Sequence, residues 1–86
     1  MAERIVVVAS KEGLHARPAM LFTQAVAACG VDVRISRPEG PSVDASSILF
    51  VMGLGVKNGE AVVLTADDEA ALERLALMLA TDLDES

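Results

Sequence analysis

Residues 31–37, Val-Asp-Val-Arg-Ile-Ser-Arg, alternate apolar and polar side chains without a break. Successive side chains of a strand point to opposite faces, so this run is a half-buried strand with Val31, Val33 and Ile35 inward. Pro38-Glu39-Gly40-Pro41 then makes a turn. Residues 42–45 read as a short returning strand, and the hairpin so formed pairs antiparallel.

The other elements have to accommodate that hairpin. Residues 5–8, Ile-Val-Val-Val, are β-branched throughout and favour a strand. Lys11-Glu12-Gly13 breaks it. Pro18 suits the first turn of a helix, where its missing N–H is not needed. Residues 19–29 form that helix, with Ala19, Phe22, Val26 and Cys29 on one face and Gly30 as its stop. Ser46-Ser47 caps a brief helix over residues 48–52 that ends at Gly53 and Gly55. Lys57-Asn58-Gly59 is a turn, and residues 60–66 are a strand centred on Val62-Val63-Leu64. Asp67-Asp68-Glu69 places negative charge at a helix start, where the macrodipole favours it. Leu72, Leu75, Ala76, Leu79 and Leu83 then recur at helical spacing.

The order is βαββαβα. The expected fold is α+β, an open-faced sandwich with a small antiparallel sheet and helices on one face. The 86 residues are expected to form a single domain over 1–86, since a chain this short buries only roughly 60–65% of its unfolded surface.

Composition removes several function classes. Thirteen acidic residues against seven basic ones give a net charge of −6, so there is no basic stripe for nucleic acid. Two Phe, with no Tyr or Trp, leave no platform for stacking bases. Cys29 is the only cysteine and His15 the only histidine, which excludes an internal disulfide and argues against a metal site. No cofactor is expected. The longest apolar stretch, residues 48–56, is well short of the ~20 residues of a spanning helix. Glu3 comes early and only residues 5–9 are apolar after it, which argues against a signal peptide. The expectation is a cytoplasmic monomer without membrane insertion.

Chemistry concentrates in Gly13-Leu14-His15-Ala16-Arg17-Pro18-Ala19. A turn at Gly13 delivers His15 to a helix N-terminus, where unpaired N–H groups and the dipole favour an anion. Arg17 adds a guanidinium able to grip one. A lone histidine is commonly a surface or capping residue. Yet Ser, Thr, Asp or Asn caps better, and a cation-prone ring at the positive end of a helix is unfavourable on its own. His15 and Arg17 together fit a dianion between them, with the imidazole as phosphoryl acceptor.

That heptapeptide is followed about thirty residues later by Ser47-Ile48-Leu49-Phe50-Val51-Met52-Gly53-Leu54-Gly55-Val56. The two segments resemble HPr, the histidine-containing phosphocarrier family of the phosphoenolpyruvate-dependent sugar phosphotransferase system, over nearly the whole chain. The resemblance implies that enzyme I phosphorylates His15 and that the phosphoryl group passes to the A domain of a sugar-specific enzyme II. Such a chain is a substrate of other phosphotransferases and not itself an enzyme. The resemblance also implies modification at Nδ1, near the backbone amides of Ala16 and Arg17, with Arg17 stabilising charge during transfer.

Ser47 matches a serine that a dedicated kinase phosphorylates in part of the family; it is equally a plain helix cap. The surroundings depart from the regulated pattern. Ser46 stands where Lys is common, Leu49 where Met is common, and one extra residue separates histidine from serine. Ile48, Leu49 and Met52 are expected to form a partner-docking patch, with core packing as the ordinary alternative. Phe22 and Phe50 read as core or interface fillers, and Met20 as near the docking face. Further partners in this reading are a serine kinase or a transcriptional regulator. Two other functions stay open: a paralogous carrier in a nitrogen-related or dihydroxyacetone-kinase relay, and a regulatory binding module. The presence of His15 favours transfer over regulation, and Gly53-Leu54-Gly55-Val56 leans toward the sugar system.

Overall fold

The computed structural model describes residues 2–81. Leu83 and the acidic Asp82, Asp84 and Glu85 lie outside the described residues. Within them the elements follow the expected order: β1 (Ala2–Val7), α1 (Ala16–Cys29), β2 (Val33–Ser36), β3 (Val43–Asp44), α2 (Ile48–Gly53), β4 (Ala61–Ala66) and α3 (Glu69–Leu79). The strands form one antiparallel sheet in the order β1-β4-β2-β3.

Burial along β4 alternates strictly, with Val62, Leu64 and Ala66 buried and Ala61, Val63 and Thr65 half-buried. One face of the sheet therefore carries the core and the other meets solvent. β1 extends back to Ala2, three residues before the β-branched run. Its ladder from Ala2↔Ala66 to Val7↔Ala61 gives every β1 residue a β4 partner, and this pairing overrides the polarity of Glu3 and Arg4. Val6 and Val8 point inward, whereas Ile5 and Val7 lie exposed on the open face. The hairpin strands are shorter than the alternation predicts. Val31 precedes β2 and is only half-buried, and β3 pairs just Asp44 with Arg34 and Val43 with Ile35.

α1 begins at Ala16, two residues ahead of Pro18, which sits in its first turn. Its inward face is Pro18, Ala19, Phe22, Thr23 and Val26. Gly30 ends it in the left-handed conformation that glycine adopts without penalty. α3 starts where Asp68 accepts a hydrogen bond from the Ala71 N–H at 3.1 Å, and buries Leu72, Leu75 and Leu79. These side chains join Phe22, Ile35, Val51 and the inner residues of β4 in one apolar cluster. Phe22 is fully buried at its centre; truncating such a ring to Ala costs about 3–5 kcal/mol.

Two loops that are far apart in sequence meet at one end of this core. The Leu14 N–H donates to the Val56 carbonyl at 3.0 Å, and the Asn58 amide donates to the Ala9 carbonyl at 3.0 Å. The Gly59 N–H and the Val8 carbonyl close the same seam at 2.9 Å. The segment entering α1 is thereby fixed to the segment leaving α2.

Candidate functional site

His15 is the N-cap residue of α1, in extended backbone geometry, and its carbonyl accepts the first helical bond from the Ala19 N–H at 2.9 Å. Its side chain makes no capping hydrogen bond and is exposed. The imidazole is thus held at the helix end by backbone alone and is left free for chemistry. The first N–H groups of a helix have no intrahelical acceptor. Pro18 supplies none, so the amides of Ala16 and Arg17 are the helical donors beside His15. α1 carries no acidic residue in its first turn, and the positive end of its dipole is not neutralised from within the helix. Arg17 is exposed in that turn.

Gly13 brings this end against the 56–57 backbone. Its φ is +72°, and a Cβ built there would collide with the Val56 carbonyl oxygen and lie 2.6 Å from the Lys57 Cα. Between the two loops is a cavity of about 250 Å³ lined by Glu12, His15, Met52, Gly55 and Lys57, with the buried Leu14 and Val56. The far wall is braced from the residue just after β2. Arg37 donates through Nη1 to the Leu54 carbonyl at 3.1 Å and through Nη2 to Glu60 Oε2 at 2.9 Å. Glu60 Oε1 accepts the Lys57 N–H at 2.8 Å. That backbone N–H, and after it the Arg37 side chain, hold the Glu60 carboxyl below the usual glutamate range.

Of the residues singled out by sequence, Met52 shares the His15 cavity, while Arg17, Ser47, Ile48 and Leu49 do not line it. Ser47 is the N-cap of α2 and accepts from the Phe50 N–H at 3.4 Å. Just before it, Asp44 accepts from both the backbone N–H and the hydroxyl of Ser46, at 2.9 and 2.7 Å. The backbone bond and then the hydroxyl lower the Asp44 pKa from its ordinary value. α2 is six residues long and buries only Val51. Ile48, Leu49 and Phe50 are consequently exposed, Leu49 by 79%, and Met20 on α1 is exposed as well. Met52 is half-buried and packs against the core. Ile48, Leu49 and Phe50 are thus the exposed apolar side chains of α2, and Met52 is the α2 residue that lines the His15 cavity. The sequence reading also missed Glu12 and Lys57 as cavity residues, taking each only as part of a turn.

Among the described residues no group of three or more His, Cys, Asp or Glu is placed to hold a metal ion. No helix among them is long and apolar enough to cross a membrane.

The family model described as the PTS HPr component phosphorylation site matches residues 2–81. This chain belongs to the HPr family. Similarity to individual HPr proteins runs end to end. Phosphocarrier protein HPr of Streptomyces coelicolor is 52% identical, over 99% of this chain and 95% of its own. Phosphocarrier protein HPr of Haloferax volcanii is 45% identical, over 92% of this chain and 93% of its own. Among solved structures, an HPr from Thermoanaerobacter tengcongensis superposes with a TM-score of 0.89 at 34% identity, covering 100% of this chain and 99% of that one. The sheet order and the three helices are those of the HPr fold, and the chain is a phosphocarrier of the phosphotransferase system.

Proposed function

We propose that His15 carries the phosphoryl group, received from enzyme I and passed to the A domain of a sugar-specific enzyme II. The observation that carries this reading is the exposed, uncapped imidazole of His15 at the amide end of α1. A ring-nitrogen lone pair forms the new N–P bond while the bond to the donor breaks and the donor keeps its electron pair. The reverse exchange delivers the group to the acceptor. Nδ1 is the ring nitrogen nearer the backbone, and a phosphoryl group there lies within reach of the Ala16 and Arg17 amides. Arg17 counters the charge that spreads over the phosphoryl oxygens during transfer. The Ala16 and Arg17 amides are fixed by the helix before loading, so they need little reorganisation in the step.

The chain in this reading is a substrate of other phosphotransferases and not an enzyme. It works in the cytoplasm as a monomer, as one unit over residues 1–86. Ile48, Leu49 and Phe50 are the docking patch for both partners, with Met52 behind them. Ser47 at the edge of that patch is a regulatory position for a serine kinase.

The paralogous relays share the His15 chemistry and differ in the acceptor. The test is therefore downstream. The chain is loaded with phosphoenolpyruvate and enzyme I, then offered the A domain of a sugar-specific enzyme II or the acceptors of the nitrogen-related and dihydroxyacetone relays. Rapid transfer to the sugar A domain is expected. Transfer only to one of the other acceptors would overturn the sugar assignment.

A further inference from the structure

Resting on the phosphohistidine reading, we propose that Glu12 makes the loaded carrier a stronger phosphoryl donor. Glu12 is the one carboxylate lining the His15 cavity, and Lys57 is the one ammonium there. Both side chains are exposed, and neither makes a hydrogen bond or ion pair among the described residues. The first turn of α1 holds no acidic residue of its own. In the unloaded state the Glu12 carboxylate is the negative charge among the residues lining the His15 cavity, while Lys57 is also drawn to the Glu60 carboxylate outside it.

Loading changes the sign of that arrangement. A phosphoryl group on His15 brings a dianion to the cavity that Glu12 also lines. Glu12 then repels it and loses its own favourable setting, so the loaded state rises relative to the unloaded one. The effect is on the equilibrium: the N–P bond at His15 is the same bond, formed and broken with the same electron pairs, in a less favourable field. Lys57 acts in the opposite direction, holding the phosphoryl group. Gly13 and the Leu14–Val56 hydrogen bond fix both residues' backbones at the cavity, so the opposing pair is built into the fold.

The experiment is a competition. Equimolar isotope-labelled wild-type chain and unlabelled variant share a catalytic amount of enzyme I and limiting phosphoenolpyruvate, and intact-mass spectrometry reads how the phosphoryl group partitions. At low salt Glu12→Gln is expected to take about three- to tenfold more than wild type, the effect of one exposed charge beside a dianion. Glu12→Asp restores near-equal partition, and Lys57→Gln moves it the other way. In about 1 M salt, where the Debye length is ~3 Å, the Glu12→Gln preference collapses toward unity. Equal partition of Glu12→Gln at low salt overturns the proposal, as does a preference that salt leaves unchanged, which marks a structural effect. If the wild-type chain loads normally and either result appears, only this inference falls. If the wild-type chain takes up no phosphoryl group, the His15 reading falls and this inference with it.

Discussion

Gly13 lies so close to Val56 that no side chain fits between them: a Cβ there would run into the Val56 carbonyl and the Lys57 backbone. The positive φ of Gly13 is a second reason for glycine. Gly13→Ala should therefore lower stability by about 2 kcal/mol or more, combining left-handed strain with a steric shift of the 56–57 segment. Urea unfolding measures it. Phosphoryl uptake should fall as well, since the segment that delivers His15 must move. A variant with the wild-type midpoint and normal uptake would show that this close approach is not needed.

The Arg37–Glu60 brace makes stability depend on pH. The Lys57 N–H and Arg37 both favour the charged carboxylate, so the folded-state pKa of Glu60 lies below the unfolded one. The stabilisation is complete above the ordinary glutamate value near 4.5 and is lost as pH falls through the lower folded value. Glu60→Gln should be less stable than wild type at neutral pH, and the difference should close in acid. Comparing the two chains within each pH cancels the similar contribution of Asp44. A gap that stays constant with pH would remove Glu60 ionisation from the account.

The apolar period and the caps made much of this fold legible in the sequence. Phe22, Val26, Leu72 and Leu75 announced their helices by spacing, and Ser47 and Asp68 by capping chemistry. His15 stood out because a histidine at a helix start has no structural advantage. What escaped was set by tertiary pairing. β1 reaches Ala2 only because β4 is there to accept it. The sequence left Phe50 between core and interface, and it is exposed because Val51 is the side chain that α2 buries. Glu12 and Lys57 share a cavity because Gly13 lets two distant loops touch, and no local pattern encodes that meeting.

Arg17→Ala should slow phosphoryl transfer in both directions while leaving His15 modifiable. Loss of one preorganised charge beside a transferring phosphoryl group is worth about 2–4 kcal/mol of barrier. Arg17→Lys should recover part of the rate, because a point charge replaces the fork of the guanidinium. Rapid-mixing kinetics with enzyme I gives the rates. Unchanged values in Arg17→Ala would take Arg17 out of the transfer step.

Ser47→Asp places a carboxylate at the N-cap of α2, where it should be neutral or stabilising by up to about 1 kcal/mol. It also puts charge at the edge of the exposed Ile48, Leu49 and Phe50 surface. Association with enzyme I should weaken, raising the apparent KM more than it lowers kcat, because His15 and Arg17 are untouched. A normal KM in a normally stable variant would mean that docking takes place elsewhere.

Whether His15 bears the phosphoryl group is read directly by one labelling measurement. Wild-type chain and His15→Ala are each incubated with phosphoenolpyruvate and enzyme I, and intact mass and phosphorus NMR follow the product. His15 is exposed and outside the apolar cluster, so the variant should keep the wild-type unfolding midpoint. Wild type should gain one phosphoryl group, labile in acid and stable in base, and folded His15→Ala should gain none. A wild-type chain that stays unmodified, or a His15→Ala chain that still acquires an acid-labile phosphoryl group on nitrogen, would contradict the account.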